Sequence, residues 1–387
     1  MFSRRLGWIV TAVPLAFVLA LLILPLLQIG NYSVRNENVA KVWPKTAEFL
    51  QGWDGRAEVS DGVLETFSRE LISSFRDRSL FPLSTRLNYE VPGLRGILIA
   101  SARSLSRVAP DAVGKIDAVV TELEWANRDF WLVIQRNITN YTEFYYLSAF
   151  DLARDREGSI YHVTESRRIY LETFGRTFAV SATVALICLV LAYPVTLTLV
   201  FAPARLRGFL FFLILVPFWT STLVRTVAWV ALLQRNGIVN DILLSLGFST
   251  ERFQLIFNRP GLLIAMVHVL LPFMILPLYS VVARVDTTPL KAAISLGANP
   301  LRAFIDAFVP ATLPGVMSGV LLVFILSIGF YITPELIGGG RDQMITQLIA
   351  KYTNELLNWG QAAALSVILL TTVIFISSIY SRLYRRT

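Results

Sequence analysis

The sequence predicts an all-α integral membrane protein of six transmembrane helices, with a mainly helical soluble insertion after the first helix. Three observations point there. Hydrophobic residues make up 55% of the chain and charged residues only 16%, with a mean hydropathy of +0.58, which is too apolar for an ordinary soluble domain. Six apolar runs, at about 7–29, 176–202, 208–232, 260–283, 312–332 and 361–381, approach the roughly 20 residues that cross a bilayer as helix. Basic residues flank these runs on alternate sides.

The first run is longer than the apolar stretch of a secretory signal and no small-x-small site follows it, so residues 1–29 are expected to remain as a membrane helix. Residues 30–170 are close to neutral, with 18 Lys/Arg against 19 Asp/Glu, so the formal charge of +8 belongs to the membrane half. There, Arg4 and Arg5 precede the first span, Arg205 and Arg207 separate the second from the third, Arg284, Lys291 and Arg302 separate the fourth from the fifth, and Arg382, Arg385 and Arg386 follow the sixth. These segments alternate so as to share one side, which the positive-inside rule makes cytoplasmic. Both termini then lie inside and residues 30–170 outside. The expected organisation is a first helix at 1–29, an exterior domain at 30–170 large enough for its own core, and a five-helix membrane core at 171–387. Because the arginines flank spans and form no basic stripe, nucleic acid is not expected as a partner. Cys188 is the only cysteine, which excludes a disulfide and a cysteine-based metal centre.

In the insertion, Val63, Leu64, Phe67, Leu71, Ile72 and Phe75 follow helical spacing, and Ile116, Val119, Val120, Leu123, Phe130 and Ile134 do so more loosely. Trp43, Trp53, Trp125 and Trp131 read as core or membrane-interface residues. His162 has no second histidine or carboxylate cluster at ligand spacing, so it reads as a surface residue and no metal site is expected. Asn31-Tyr32-Ser33, Asn137-Ile138-Thr139 and Asn140-Tyr141-Thr142 match the glycosylation triplet, a pattern of low specificity. Glu122 with Glu124, and Asp151 with Asp155, read as solvated helix faces amid basic neighbours.

Between the fourth and fifth spans, the loop 284–311 carries the strongest local signals. Thr288 is expected to cap a first short helix, with Pro289 placed where its missing N–H does no harm. Leu290, Ile294 and Gly297 recur at helical spacing, and Gly297 is the expected break. Asn299-Pro300 repeats the cap-plus-proline signal for a second helix at about 300–309, with Leu301, Phe304 and Phe308 on one face and Pro310 as its end. The product is a rigid handle between two membrane anchors, or merely a tidy helical hairpin.

Motif searches exclude most chemistry. No phosphate-binding G-x-x-x-x-G-K-[ST] loop, H-E-x-x-H, G-x-S-x-G or dinucleotide fingerprint occurs, so no catalytic residue and no ATP-hydrolysing role are expected. A few polar residues stand in or beside the spans. Arg225 would cost about 2.5–3.5 kcal/mol at a bilayer centre and should face protein, water or the headgroups. His268 precedes Pro272 and Pro277, which free backbone carbonyls and kink the fourth span. Tyr331-Ile332-Thr333-Pro334-Glu335 leads into the glycines 338–340 at the outer end of the fifth span, where Glu335 is a solvated loop acid or a contact for a cationic solute.

Several of these segments together carry a family resemblance. Cys188-Leu-Val-Leu-Ala-Tyr-Pro194, Pro217-Phe-Trp219, Leu223-Val-Arg-Thr-Val-Ala-Trp229, Asn236-Gly-Ile-Val-Asn240, Leu271-Pro-Phe-Met-Ile-Leu-Pro-Leu-Tyr279, Ala292-Ala293 with Leu296-Gly-Ala298, Leu313-Pro-Gly315, Pro334 with Gly338-Gly339, and Asn358-Trp-Gly360 occur in one order over more than half the chain. From about 165 onward the sequence resembles the ABC importer permeases of the spermidine/putrescine branch, whose relatives also take up opines and ferric iron. The resemblance implies the type I ABC importer permease fold in a bacterial inner membrane, with residues 30–170 periplasmic. It implies a heteromeric assembly: a second permease subunit, an ABC ATPase dimer holding ATP and Mg, and a periplasmic solute-binding protein that delivers a small, amine-containing or opine-like solute.

On this resemblance the stretch Thr288, Pro289, Leu290, Lys291, Ala292, Ala293, Ile294, Ser295, Leu296, Gly297, Ala298, Asn299, Pro300, Leu301 and Arg302 is the ATPase-coupling loop. Arg225, His268, Tyr331 and Glu335 are the candidates for the translocation pathway or its gates. Two departures stand out. Where the family usually has acids on the coupling helix this chain has Lys291 and Ser295, and its exterior insertion is much longer than is usual. Two other classes stay open: a secondary transporter or channel that needs no ATPase, and a membrane-anchored scaffold or sensor acting through the insertion. The spans lack the buried acid pairs or inverted broken helices of the former.

Overall fold

The computed structural model describes residues 4–36, 39–56, 59–107, 128–155 and 158–384. They form two compact units, one of residues 1–168 with 358–367 and one of 169–357 with 368–387. In the first, α1 (Arg4–Val34) is followed by α2 (Val39–Val42), α3 (Pro44–Gln51), α4 (Asp61–Arg76), α5 (Leu80–Glu90), α6 (Leu94–Arg107), α7 (Arg128–Arg136) and α8 (Phe144–Ala149). A small antiparallel hairpin, β1 (Leu152–Arg154) with β2 (Ile160–His162), ends it in the register Leu152↔His162.

The apolar stretch of α1 is exposed within its own unit among the described residues, as suits a helix facing lipid. The soluble helices fold on an aromatic centre. Phe67 meets Trp43 edge-on at 4.8 Å and Trp131 at 5.1 Å between ring centroids, geometries that favour aromatic pairs beyond the area they bury. Trp43 Nε1 donates to Ser74 Oγ at 3.0 Å, so the buried indole keeps a partner. The first turn of α3 is capped from α4: the Lys45 and Thr46 amides donate to the two Glu70 oxygens at 2.9 and 3.0 Å. A buried polar chain ties the entry and exit of this domain. Asn36 Nδ2 donates to Asn137 Oδ1 at 3.1 Å, Asn137 Nδ2 to Glu90 Oε2 at 3.0 Å, and Arg86 lies 3.7 Å from Glu90 with its guanidinium over the Phe144 ring.

Two readings of the insertion change and one holds. Asn137 is only 2% exposed with its amide engaged in that chain, so its triplet cannot be modified in the folded protein. Asp151 and Asp155 do not lie on a solvated helix face. Asp151 is buried at the entry to β1, and Asp155 accepts from the Ser159 amide in the hairpin turn. His162 is exposed on β2, as its isolation in the sequence suggested. Ile116, Val119, Val120, Leu123, Glu122, Glu124 and Trp125 lie outside the described residues.

In the second unit, α9 (Tyr170–Phe201), α13 (Arg259–Val282) and α16 (Val309–Ile328) form the packed core, in which Cys188, Leu262, Met266, Leu270, Met274, Leu278 and Val323 are buried. Gly315 and Gly319 let α16 approach α13 closely. A Cβ at Gly315 would stand 2.9 Å from Val281 Cβ and 3.2 Å from Leu278 Cα, and one at Gly319 would meet the Met274 backbone oxygen at 3.2 Å. This is the small-residue contact by which membrane helices gain dispersion energy.

The third expected span is not straight. It is built from α10 (Ala204–Leu215), extended by a 3₁₀ turn at Val216–Trp219, and α11 (Thr222–Leu233), with a bend of 100° at the break between Trp219 and Thr222. Pro217 contributes no N–H to a continuing helix, Thr220 turns extended, and Ser221 restarts the helix by accepting from the Val224 amide at 3.2 Å. Counted as one broken span, this pair brings the five long apolar helices among the described residues to six, and the short α12 (Ile238–Ser245) follows it. The fifth also differs from expectation at its start, because Pro310 does not end the preceding helix. The π segment Phe304–Phe308 joins α15 (Pro300–Ala303) to α16, with the Val309 amide bonded to the Phe304 carbonyl, so the wider turn accommodates the proline. The last long helix is α19 (Trp359–Tyr384), and in its first turn Gly360 lies against the Tyr145 ring with no room for a Cβ.

Candidate functional site

The loop after α13 is a set of interlocked caps. Asp286 Oδ1 accepts from the Thr288 amide at 2.9 Å and from Thr288 Oγ1 at 2.7 Å, and these bonds hold its carboxyl below the usual carboxylate range, with Lys291 adding to the effect. Thr288 is therefore not the cap; it is the first residue of α14 (Thr288–Ser295), and the acid two residues earlier supplies the acceptor. Gly297 ends α14 at φ +92°, with its amide bonded to Ile294 O and that of Ala298 to Ala293 O, both at 3.0 Å. That is a Schellman closure, and it needs a residue that tolerates positive φ. Asn299 Oδ1 then accepts from the Leu301 amide at 2.9 Å and starts α15.

Leu290 and Val285 pack against the membrane core, as does Phe304, which stacks on buried Phe308 at 5.2 Å. The opposite face is left uncovered. Leu296 is 89% exposed, Leu301 68% and Ile294 43%, and Lys291 and Ser295 stand one turn apart on α14. Arg302 faces Asp306 at 3.4 Å, an exposed pair of little energetic weight. The site is thus a capped apolar knuckle flanked by two cations, Lys291 and the ion-paired Arg302.

The four pathway candidates fall at two places. Arg225 and Trp229 stand one turn apart on α11, and Trp229 Nε1 donates to His268 Nδ1 on α13 at 3.1 Å. An acceptor Nδ1 leaves Nε2 of the neutral ring as the donor. Arg225 Nη2 reaches Thr222 Oγ1 at 3.4 Å, while the next residue, Thr226, bonds Thr333 of α17 (Ile332–Ile337) through their hydroxyls at 3.0 Å.

Tyr331 and Glu335 are brought together in a cavity of about 210 Å³ between α17 and α18 (Ile345–Asn354). The sequence reading missed the other side of this cavity, which α18 provides through Gln347, Lys351 and Asn354, because those residues look like an ordinary polar helix face. Their placement is enforced at the start of α18. Thr177 Oγ1 accepts from the Ile345 amide at 2.9 Å, and Thr346 Oγ1 donates to Phe330 O at 2.6 Å. Gln347 takes the Met344 amide on its Oε1 at 2.7 Å and donates from Nε2 to Glu335 Oε2 at 2.8 Å. Arg259 Nε pairs with Asp342 at 2.9 Å and fixes the glycine-rich connection.

Comparison with known proteins places these features. The family described as binding-protein-dependent transport system inner membrane component matches residues 189–387. The spermidine/putrescine transport system permease protein PotB of Escherichia coli K12 is 34% identical over 217 residues, 56% of this chain and 79% of that protein. The protein of the same description from Haemophilus influenzae is 30% identical over 211 residues, 54% of this chain and 74% of that one. A crystal structure of a bacterial alginate ABC transporter covers 57% of this chain and 79% of that chain, at 15% identity and a TM-score of 0.45. The match takes in the knuckle, both polar places, the end of the second apolar span and every later one, and the chain belongs to the family of binding-protein-dependent transport system inner membrane components.

Proposed function

We propose that this chain lines half of the solute pathway of an ATP-driven importer for a small amine of the polyamine or opine kind, and that the loop 284–311 is where an ATPase pair grips it. The single observation that supports the coupling role is the knuckle itself. Ile294, Leu296 and Leu301 are exposed on a turn fixed by three separate caps, an apolar surface that gains only by being covered. Binding-protein dependence, a property of the family, implies an ATPase and a solute-binding protein as partners. In this reading ATP hydrolysis takes place in that separate subunit, a second permease completes the pathway, both termini are cytoplasmic and residues 30–170 are periplasmic, as the flanking arginines support. The amine follows from the names of the relatives.

Mechanistically, closure of the ATPase pair on ATP pulls the knuckle, and the π segment at Phe304–Phe308 and the prolines of α13 carry the motion into the spans. Arg225, His268, Tyr331 and Glu335 line the pathway or its gates. The test is Gly297→Pro, since proline is confined to φ of about −65° and cannot occupy the αL position. The variant should insert in the membrane normally and fail to retain the ATPase on co-purification. Full retention would remove the loop from the coupling role.

A further inference from the structure

The cavity beside α17 is lined by Tyr331, Glu335 and polar residues of α18. We propose that it is a binding site for the ammonium group of a compact aliphatic amine, with Glu335 as the carboxylate that receives it. The proposal rests on the reading of the chain as an amine importer and adds a location and a chemistry to it.

The wall holds two carboxylates, Glu335 and Glu355, against the single ammonium of Lys351, and its charges sum to one negative charge. Glu335 is also held in place. Its Oε2 accepts from Gln347 Nε2 at 2.8 Å, and Gln347 is itself buried and tied to the Met344 amide, so the carboxylate meets a ligand without first being ordered. Oε1 has no part in that bond and remains as an acceptor.

Tyr331 lies four residues before Glu335 and lines the same cavity, offering a ring face and a hydroxyl to a cation. An ammonium has three N–H donors, and the amide oxygens of Gln343 and Asn354 supply further neutral acceptors on the wall. A solute of drug size would not fit in about 210 Å³, whereas the end of a short amine would. Lys351 sets the selectivity: it disfavours a second ammonium near the α18 side and so limits the site to one charged end.

The experiment uses the full chain in lipid nanodiscs with putrescine as probe, measured by equilibrium dialysis. Wild type should bind saturably, Glu335→Gln should weaken binding about tenfold or more, and Lys351→Met should strengthen it several-fold. Glutamine keeps an oxygen for Gln347, so the first variant tests charge and not folding. Unchanged affinity in Glu335→Gln, or no putrescine binding by wild type, overturns the proposal. A separate measurement of ATP-driven putrescine uptake by the assembled transporter distinguishes the two failures. Uptake that Glu335→Gln leaves intact removes the site and keeps the importer, while absent uptake with Glu335-dependent binding keeps the site and removes the solute assignment.

Discussion

Asp286 and Glu70 show how single carboxylates decide local order in this chain. Each accepts from backbone or hydroxyl donors at the start of a short helix, where the first amides have no partner within the helix itself. For Asp286 the folded pKa lies below the ordinary value, so its contribution is present at neutral pH and is lost only as pH falls through that lowered value. Asp286→Ala should therefore speed hydrogen exchange at the Thr288 amide at pH 7 and, under the proposed coupling role, weaken retention of an ATPase. Glu70→Ala should release the Lys45 and Thr46 amides in the same measurement and destabilise the inserted domain by about 1–2 kcal/mol. Unchanged exchange at those amides would contradict the capping account. The sequence displayed Gly297 and Asn299 plainly, because positive φ and an Asn-Pro start leave compositional marks. It misplaced the first cap, since Thr288 and Asp286 are both competent acceptors two residues apart and only geometry chooses between them.

The long helices were legible wherever hydropathy alone decides, and their interruptions were not. The proline at position 217 sits in a 3₁₀ turn at a 100° bend while Pro310 sits in an unbroken run, and the difference lies in the π segment ahead of the latter, which no residue type announces. Packing between helices was hidden for a similar reason. Gly315 and Gly319 are four apart on α16, but the contact they make with Leu278, Val281 and Met274 appears only when α13 is set against them. Gly315→Ile should force α16 away from α13 at a cost of about 1–3 kcal/mol, seen as a lower melting temperature of the purified protein in detergent. A melting temperature equal to wild type would mean the two helices are not held as described. The α18 side of the cavity escaped sequence reading because its polar face matches that of any solvated helix, and the Thr177 and Gln347 bonds that aim it span long stretches of chain.

At the scale of the molecule, the chain divides between an inserted helical domain with an aromatic core and a membrane core shared with its family. The domain has ordered helices and a buried Arg86–Glu90–Asn137 chain, so it folds as a specific structure and not as a tether. Excision of residues 37–165 should leave a chain that still inserts and retains its ATPase, with solute capture reduced; loss of ATPase binding as well would favour a scaffold acting through that domain. The proposed importer differs from a channel in coupling transport to ATP in a partner subunit. The most direct measurement is accumulation of labelled putrescine in proteoliposomes holding this chain with its ATPase, second permease and binding protein, compared with proteoliposomes holding this chain alone. The account predicts accumulation only in the complete system and only with ATP. Putrescine transport by the chain alone, unaffected by ATP, would contradict it.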